Sequence, residues 1–116
     1  MSAGRYNFSI ERGASFIRTI MYMDPDDIGI DLAGAEVRMQ IRDNYSSTEP
    51  AIDANSTNGG IIKTGNPGEF TINLTPELTG AVSFNQGVYD VEVEYADGTV
   101  ERILEGRVKI VRQVTQ

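Results

Sequence analysis

The chain has 116 residues, ten Lys and Arg against seventeen Asp and Glu, and a formal net charge of −7 at pH 7. That length suits one domain, 1–116, which buries about two-thirds of its surface on folding. It has no Cys, His or Trp, which excludes disulfides, thiolate metal sites and cysteine nucleophiles, and removes the usual general base and the commonest zinc ligand.

An arm, residues 1–5, opens the chain without the basic-then-apolar pattern of a secretory leader. Tyr6, Phe8 and Ile10 then alternate with Asn7 and Ser9, the period of a strand with one buried and one wet face. Arg12-Gly13-Ala14 turns the chain. Residues 15–23 are more continuously apolar, as for a strand covered on both faces. Asp24-Pro25-Asp26-Asp27, with Gly29, closes that strand. The clearest alternation follows: Ala35, Val37, Met39 and Ile41 against Glu36, Arg38, Gln40 and Arg42.

Residues 44–60 are polar and rich in Ser, Thr and Asn, a long loop with a short edge strand around 51–54. Asn66-Pro67-Gly68 leads into a strand in which Phe70, Ile72 and Leu74 alternate with Thr71 and Asn73. Thr75 then caps one helical turn near Pro76 and Thr79, with Pro76 in the first position and Glu77 at the positive end of its dipole. Such a turn carries the chain between sheets. Tyr89, Val91, Val93 and Tyr95 alternate with Asp90, Glu92 and Glu94, and Asp97-Gly98 marks a hairpin of 88–95 with 99–104 through a type I′ turn. The last strand continues over 107–111, with Gly106 as a bulge or kink, and a tail, 112–116, ends the chain. About seven short strands and one helical turn describe an all-β protein, an antiparallel immunoglobulin-like β-sandwich, with a small barrel as the next choice.

No motif carries chemistry. Asp24, Asp26 and Asp27 lack the downstream spacing of a calcium loop and read as an acidic turn. Asp90, Glu92 and Glu94 share one strand face, which suits charge pairing with the row of Arg38, Gln40 and Arg42 better than a glycosidase pair. Asn55-Ser56-Thr57 and Asn73-Leu74-Thr75 match the glycosylation pattern without a secretory context. Gly59-Gly60 and Gly65 are too sparse for a phosphate loop. Tyr6, Tyr22, Tyr89 and Tyr95 fall in strand patterns and suit packing; Tyr45 lies in the polar loop and is expected to be exposed. The acidic balance argues against nucleic acid and anionic membranes, and no apolar run reaches a bilayer's span. The sequence predicts no enzyme, cofactor or metal.

Several segments in order resemble small β-sandwich virion structural proteins of tailed bacteriophages, of the baseplate, tail-fibre adaptor or capsid-decoration type. They are Phe8-Ser9-Ile10-Glu11-Arg12-Gly13-Ala14-Ser15-Phe16; Ile30-Asp31-Leu32-Ala33-Gly34 leading into Val37-Arg38-Met39-Gln40-Ile41-Arg42; Gly68-Glu69-Phe70-Thr71-Ile72; Leu78-Thr79-Gly80; Gly87-Val88-Tyr89-Asp90-Val91-Glu92-Val93; and Asp97-Gly98-Thr99-Val100 with Leu104-Glu105-Gly106-Arg107-Val108. The resemblance implies a structural role without catalysis, most of all in the tail, baseplate or fibre-attachment region, in a virion whose parts are made in the host cytoplasm. Capsid decoration and a carbohydrate- or receptor-binding module are the alternatives. The implied partners are other virion structural proteins, with a homo-oligomer as one form of assembly. Candidate contacts are Arg5 in the arm, Tyr45 and Asn55 in the long loop and Arg112 in the tail, together with any edge strand at 51–54 or the N-terminus.

Overall fold

The computed structural model describes residues 4–112; residues 1–3 of the arm and 113–116 of the tail lie outside the described residues. In chain order the elements are β1 (Gly4–Arg5), β2 (Phe8–Glu11), β3 (Phe16–Met21), β4 (Glu36–Arg42), β5 (Ile52–Asn55), β6 (Ile61–Lys63), β7 (Glu69–Leu74), α1 (Pro76–Gly80), β8 (Gln86–Glu94) and β9 (Val100–Val111). The larger sheet has the order β1-β9-β8-β4-β5, with β2 beside β1 along β9; the smaller is β3-β7-β6. The protein is an all-β, immunoglobulin-like sandwich. Its pairs are antiparallel except where β1 and β2 run parallel to β9.

The alternating rows build the core as the pleat requires. Val37, Met39 and Ile41 of β4, Val91 and Val93 of β8, and Phe70, Ile72 and Leu74 of β7 all point inward and are fully buried. Phe8 closes one flank, its ring 5.3 Å from Phe16 and 4.9 Å from Tyr89. The helical turn forms where Thr75 accepts a hydrogen bond from the Leu78 N–H at 3.3 Å and Pro76 opens the first turn. It carries the chain from the smaller sheet to the larger. Buried Thr79 donates to the Ala14 carbonyl at 2.8 Å and accepts from the Gly13 N–H at 3.0 Å. Arg12 reaches the carbonyls of Val82 at 3.1 Å and Phe84 at 2.8 Å. The Arg-Gly turn is thereby tied to the crossover about 70 residues later.

Five expectations are corrected. The strands are more numerous than seven among the described residues, because the N-terminal strand breaks into β1 and β2 and because β6 follows the 56–60 turn. The break leaves Tyr6 out of the core, exposed, with its carbonyl accepting the Tyr89 hydroxyl. The stretch 15–23 is not covered on both faces: β3 is an edge strand, and Ile17, Thr19 and Met21 face out. Arg18, in the inward row of that edge, folds over the Phe16 ring at 4.6 Å, a charge placed where it discourages further strand pairing.

The hairpin at Asp97-Gly98 is not type I′, since only Gly98 has positive φ (91°). Tyr95 O accepts from Gly98 N–H at 2.9 Å and Thr99 O from Tyr95 N–H at 2.8 Å. This is a three-residue loop whose left-handed position falls on glycine. The register shift in the last hairpin lies at Val91/Glu92, which leaves Ile103 as the extra residue, and not at Gly106. Gly106 is glycine because a Cβ there would sit 1.9 Å from the Tyr6 carbonyl oxygen. It lets the backbone between β1 and β2 approach the sheet.

Candidate functional site

On the outward face of the larger sheet, Glu36, Arg38, Gln40 and Arg42 of β4 stand opposite Glu94, Glu92, Asp90 and Val88 of β8. Arg38 bonds Glu94 at 2.9 Å and Glu92 at 3.1 Å, and these two hydrogen bonds push its guanidinium pKa up. Arg102 of β9 meets Asp90 at 3.3 Å. Burial nevertheless outweighs that attraction and raises the Asp90 carboxyl above its ordinary value. The expected pairing of the two charged rows is thus present for Arg38. Arg42 instead turns to the Ser47 carbonyl and to Gln40 Oε1, and Arg102 answers Asp90 in its place.

Beyond Val88 this face ends in an open groove of about 620 Å³, formed where residues 43–45 meet β2, β8, β9 and Asn7. Its floor includes Val88 and its walls carry Tyr45, Gln86, Arg107 and Lys109. Arg107 and Lys109 alternate with inward Val108 and Ile110 and so project together toward solvent. Among the described residues neither side chain makes a salt bridge or a hydrogen bond, whereas Arg5, Arg38 and Arg102 pair with carboxylates and Arg12, Arg18, Arg42 and Lys63 donate to carbonyl oxygens. Asp43 lines the groove as its one carboxylate.

The smaller sheet has a different outer surface. Thr19 and Thr71 share a hydrogen bond of 3.0 Å across the β3–β7 pair. Around them Ile17, Met21 and Ile62 stand 55%, 46% and 48% exposed, and Met23 and Ile28 are exposed in the hairpin that follows β3.

The four candidate contact residues do not converge. Arg5 lies on β1 and pairs with Glu105 at 3.3 Å. Tyr45 is 75% exposed on the groove wall. Asn55 ends β5 with its side chain committed to the fold, Oδ1 accepting from the N–H groups of Thr57 at 2.9 Å and Asn58 at 2.8 Å. Arg112 is exposed just past β9. The strand expected around 51–54 is present as β5, and both it and the N-terminal pair β1/β2 occupy edges of the larger sheet. Arg107, Lys109 and the apolar trio of the smaller sheet are the residues that sequence reasoning did not single out. Alternation marks Arg107 and Lys109 as outward but is hidden at Ile17 and Met21 by the apolar run around them, and only strand order tells which outward residues lack a partner.

The acidic turn is closed on itself: Asp24 Oδ1 accepts from the N–H groups of Asp26 at 2.8 Å and Ile28 at 3.0 Å. Among the described residues no three acidic side chains gather as a metal site, no buried polar side-chain atom lacks a partner, and no helix is long and apolar enough to cross a membrane.

No protein-family model matches the chain, and no curated protein matches it. Among solved structures it is similar to one from a site-directed photo-crosslinking study of multimeric cell-adhesive interactions of VGSC beta subunits. The TM-score is 0.52 at 13% identity, over 96% of each chain. It is also similar to CopC from Methylosinus trichosporium OB3b, with a TM-score of 0.48 and 14% identity over 99% of this chain and 90% of that one. The first likeness agrees with the immunoglobulin-like sandwich and extends to the fold alone.

Proposed function

We propose that the chain is a non-enzymatic structural component of a tailed-phage virion, packing against other virion proteins in the tail, baseplate or fibre-attachment region. Two things support this reading: the resemblance of its ordered segments to that class, and the apolar outer surface of the smaller sheet, which is the observation that carries it. Outside the groove, several polar and charged side chains are engaged in holding the sandwich: Arg12 and Thr79 on the crossover, Arg38 and Arg102 on the carboxylate row, and Lys63 on the carbonyls of Leu32 and Ala35. Ile17, Met21 and Ile62 have no such task. Exposed apolar side chains gathered on one face suit a protein contact.

The test is immunogold electron microscopy of particles carrying the wild type or the Ile17→Asp/Ile62→Asp pair. Label at the tail or baseplate, lost in the variant while circular dichroism stays that of a folded sandwich, is the expected result. Label over the head would move the reading to capsid decoration, and unlabelled wild-type particles would overturn it. A carbohydrate- or receptor-binding module is the second reading, and the Tyr45 groove favours it.

A further inference from the structure

From the groove's composition we infer a binding site for a carboxylate-bearing sugar residue, carried at the end of an otherwise neutral glycan, between Tyr45 and the Arg107–Lys109 pair. The inference does not rest on the virion reading. Its first support is size: about 620 Å³ falls in the range of small-ligand sites. The second is the display of Tyr45. Arg42 donates to the Ser47 carbonyl, while Asn44 Oδ1 accepts from the Ser46 N–H at 3.0 Å and its hydroxyl at 2.6 Å. The loop is thus pinned on both sides of a ring that is three-quarters exposed and makes no aromatic contact among the described residues. A wet aromatic on a pinned loop offers the apolar face on which a pyranose C–H surface stacks.

The third support is charge. In a chain of net charge −7, two adjacent cations without a carboxylate partner face the same groove. An arginine and a lysine together suit a carboxylate, the arginine offering a bidentate fork and the lysine a point charge. Gln86 adds an amide able both to donate to and accept from hydroxyls, and Val88 supplies an apolar floor. The other polyanions fit less well. Asp43 at the rim and the Asp90–Glu92–Glu94 row on the same face repel a ligand charged along its length, which disfavours nucleic acid and polyuronate. An acidic peptide binding by strand addition would have to use the outer edge of β2, one strand away from Arg107 and Lys109.

The probes are N-acetylneuraminyl-lactose, a glucuronic-acid-terminated trisaccharide, lactose and an oligoglutamate peptide, each titrated into the isotopically labelled chain and followed by amide NMR. Shifts centred on Tyr45, Gln86, Val88 and Lys109 with one of the two acidic sugars, absent with lactose, are expected. Arg107→Gln and Tyr45→Ala should each weaken that binding by about tenfold; both lie at the surface, and their unchanged spectra elsewhere would show the fold intact. Three results would overturn the proposal: no shifts with either acidic sugar at millimolar concentration, equal shifts with lactose, or equal shifts with oligoglutamate. The last would make the groove a docking place for acidic protein segments.

Discussion

The outward rows of the two sheets obey the same alternation and end in opposite conditions. On the larger sheet Arg38 and Arg102 answer Glu92, Glu94 and Asp90, each charge lying one strand from its partner. On the smaller sheet a threonine pair is flanked by apolar side chains that stand about half exposed. Strand number explains much of this. With five strand positions across, β4, β8 and β9 give one another neighbours on both sides, so charge can be matched by charge. With three, two of the strands are edges. Folding accounts for the first face and leaves the second partly exposed, the observation on which the proposed assembly role rests.

The largest effect that sharpens the comparison lies within the smaller sheet. Phe70 is fully buried and points inward, whereas Ile62 on the adjacent strand points out. Phe70→Ala should cost about 3–5 kcal/mol, and Ile62→Ala less than about 0.5 kcal/mol, both read from urea unfolding. An Ile62 variant as damaging as a core truncation would mean that its side chain already serves the fold. On the larger sheet, Arg38→Ala leaves Glu92 and Glu94 side by side without their cation. The expected loss is about 1–2 kcal/mol, reduced by added salt. A loss unaffected by salt would mean that the arginine stem, rather than its charge, supports the face.

Much of this was legible in the residues, and the failures have physical causes. Alternation placed Val37, Met39, Ile41, Val91 and Val93 inward, and Thr75-Pro76 announced the helical turn. Residues 15–23 misled because Ile17 and Met21 are apolar and outward; composition does not separate a strand buried on both faces from one whose apolar outer face stays exposed. Gly106 signalled a backbone peculiarity, but its cause, the Tyr6 carbonyl, comes from about 100 residues away. Tyr45 was recognisable as an exposed aromatic because it sits among polar loop residues. Its neighbours Arg107 and Lys109 were not, since only the register of β8, β9 and β2 brings them beneath that loop.

Two of the sheet edges sharpen the comparison at a smaller scale. β3 leaves an edge guarded only by Arg18, whereas β1 and β2 are fastened to β9 with the Tyr89 hydroxyl bound to the Tyr6 carbonyl. Tyr89→Phe should cost about 1 kcal/mol and should accelerate amide exchange in residues 4–11 ahead of β3. Uniform acceleration across both sheets would show that the hydroxyl stabilises the whole domain rather than clamping the N-terminal strand.

The smallest effect concerns Asp90, where the matching of charges on the larger sheet is incomplete. Burial raises its carboxyl pKa in spite of Arg102, with Glu92 and Glu105 adding to the rise. The folded chain therefore holds that proton more tightly than the unfolded chain does. Asp90's contribution to stability is most favourable at low pH, where the carboxyl is protonated, and declines as pH rises through its unfolded and then its raised folded value. Asp90→Asn mimics the protonated form. At pH 7 it should equal or exceed the wild type in stability, and the gap between the two should narrow as acid protonates the wild-type side chain. Glu69 and Asp97, whose carboxyls are lowered by hydrogen bonds from Thr64 and Thr99 respectively, lose their favourable contribution on acidification. They are common to both proteins and cancel in the difference. Denaturation of the pair at several pH values between neutrality and the carboxylate range decides the matter. A variant less stable than wild type at pH 7, with the deficit vanishing in acid, would mean that Arg102 outweighs desolvation and that the Asp90 charge is fully answered.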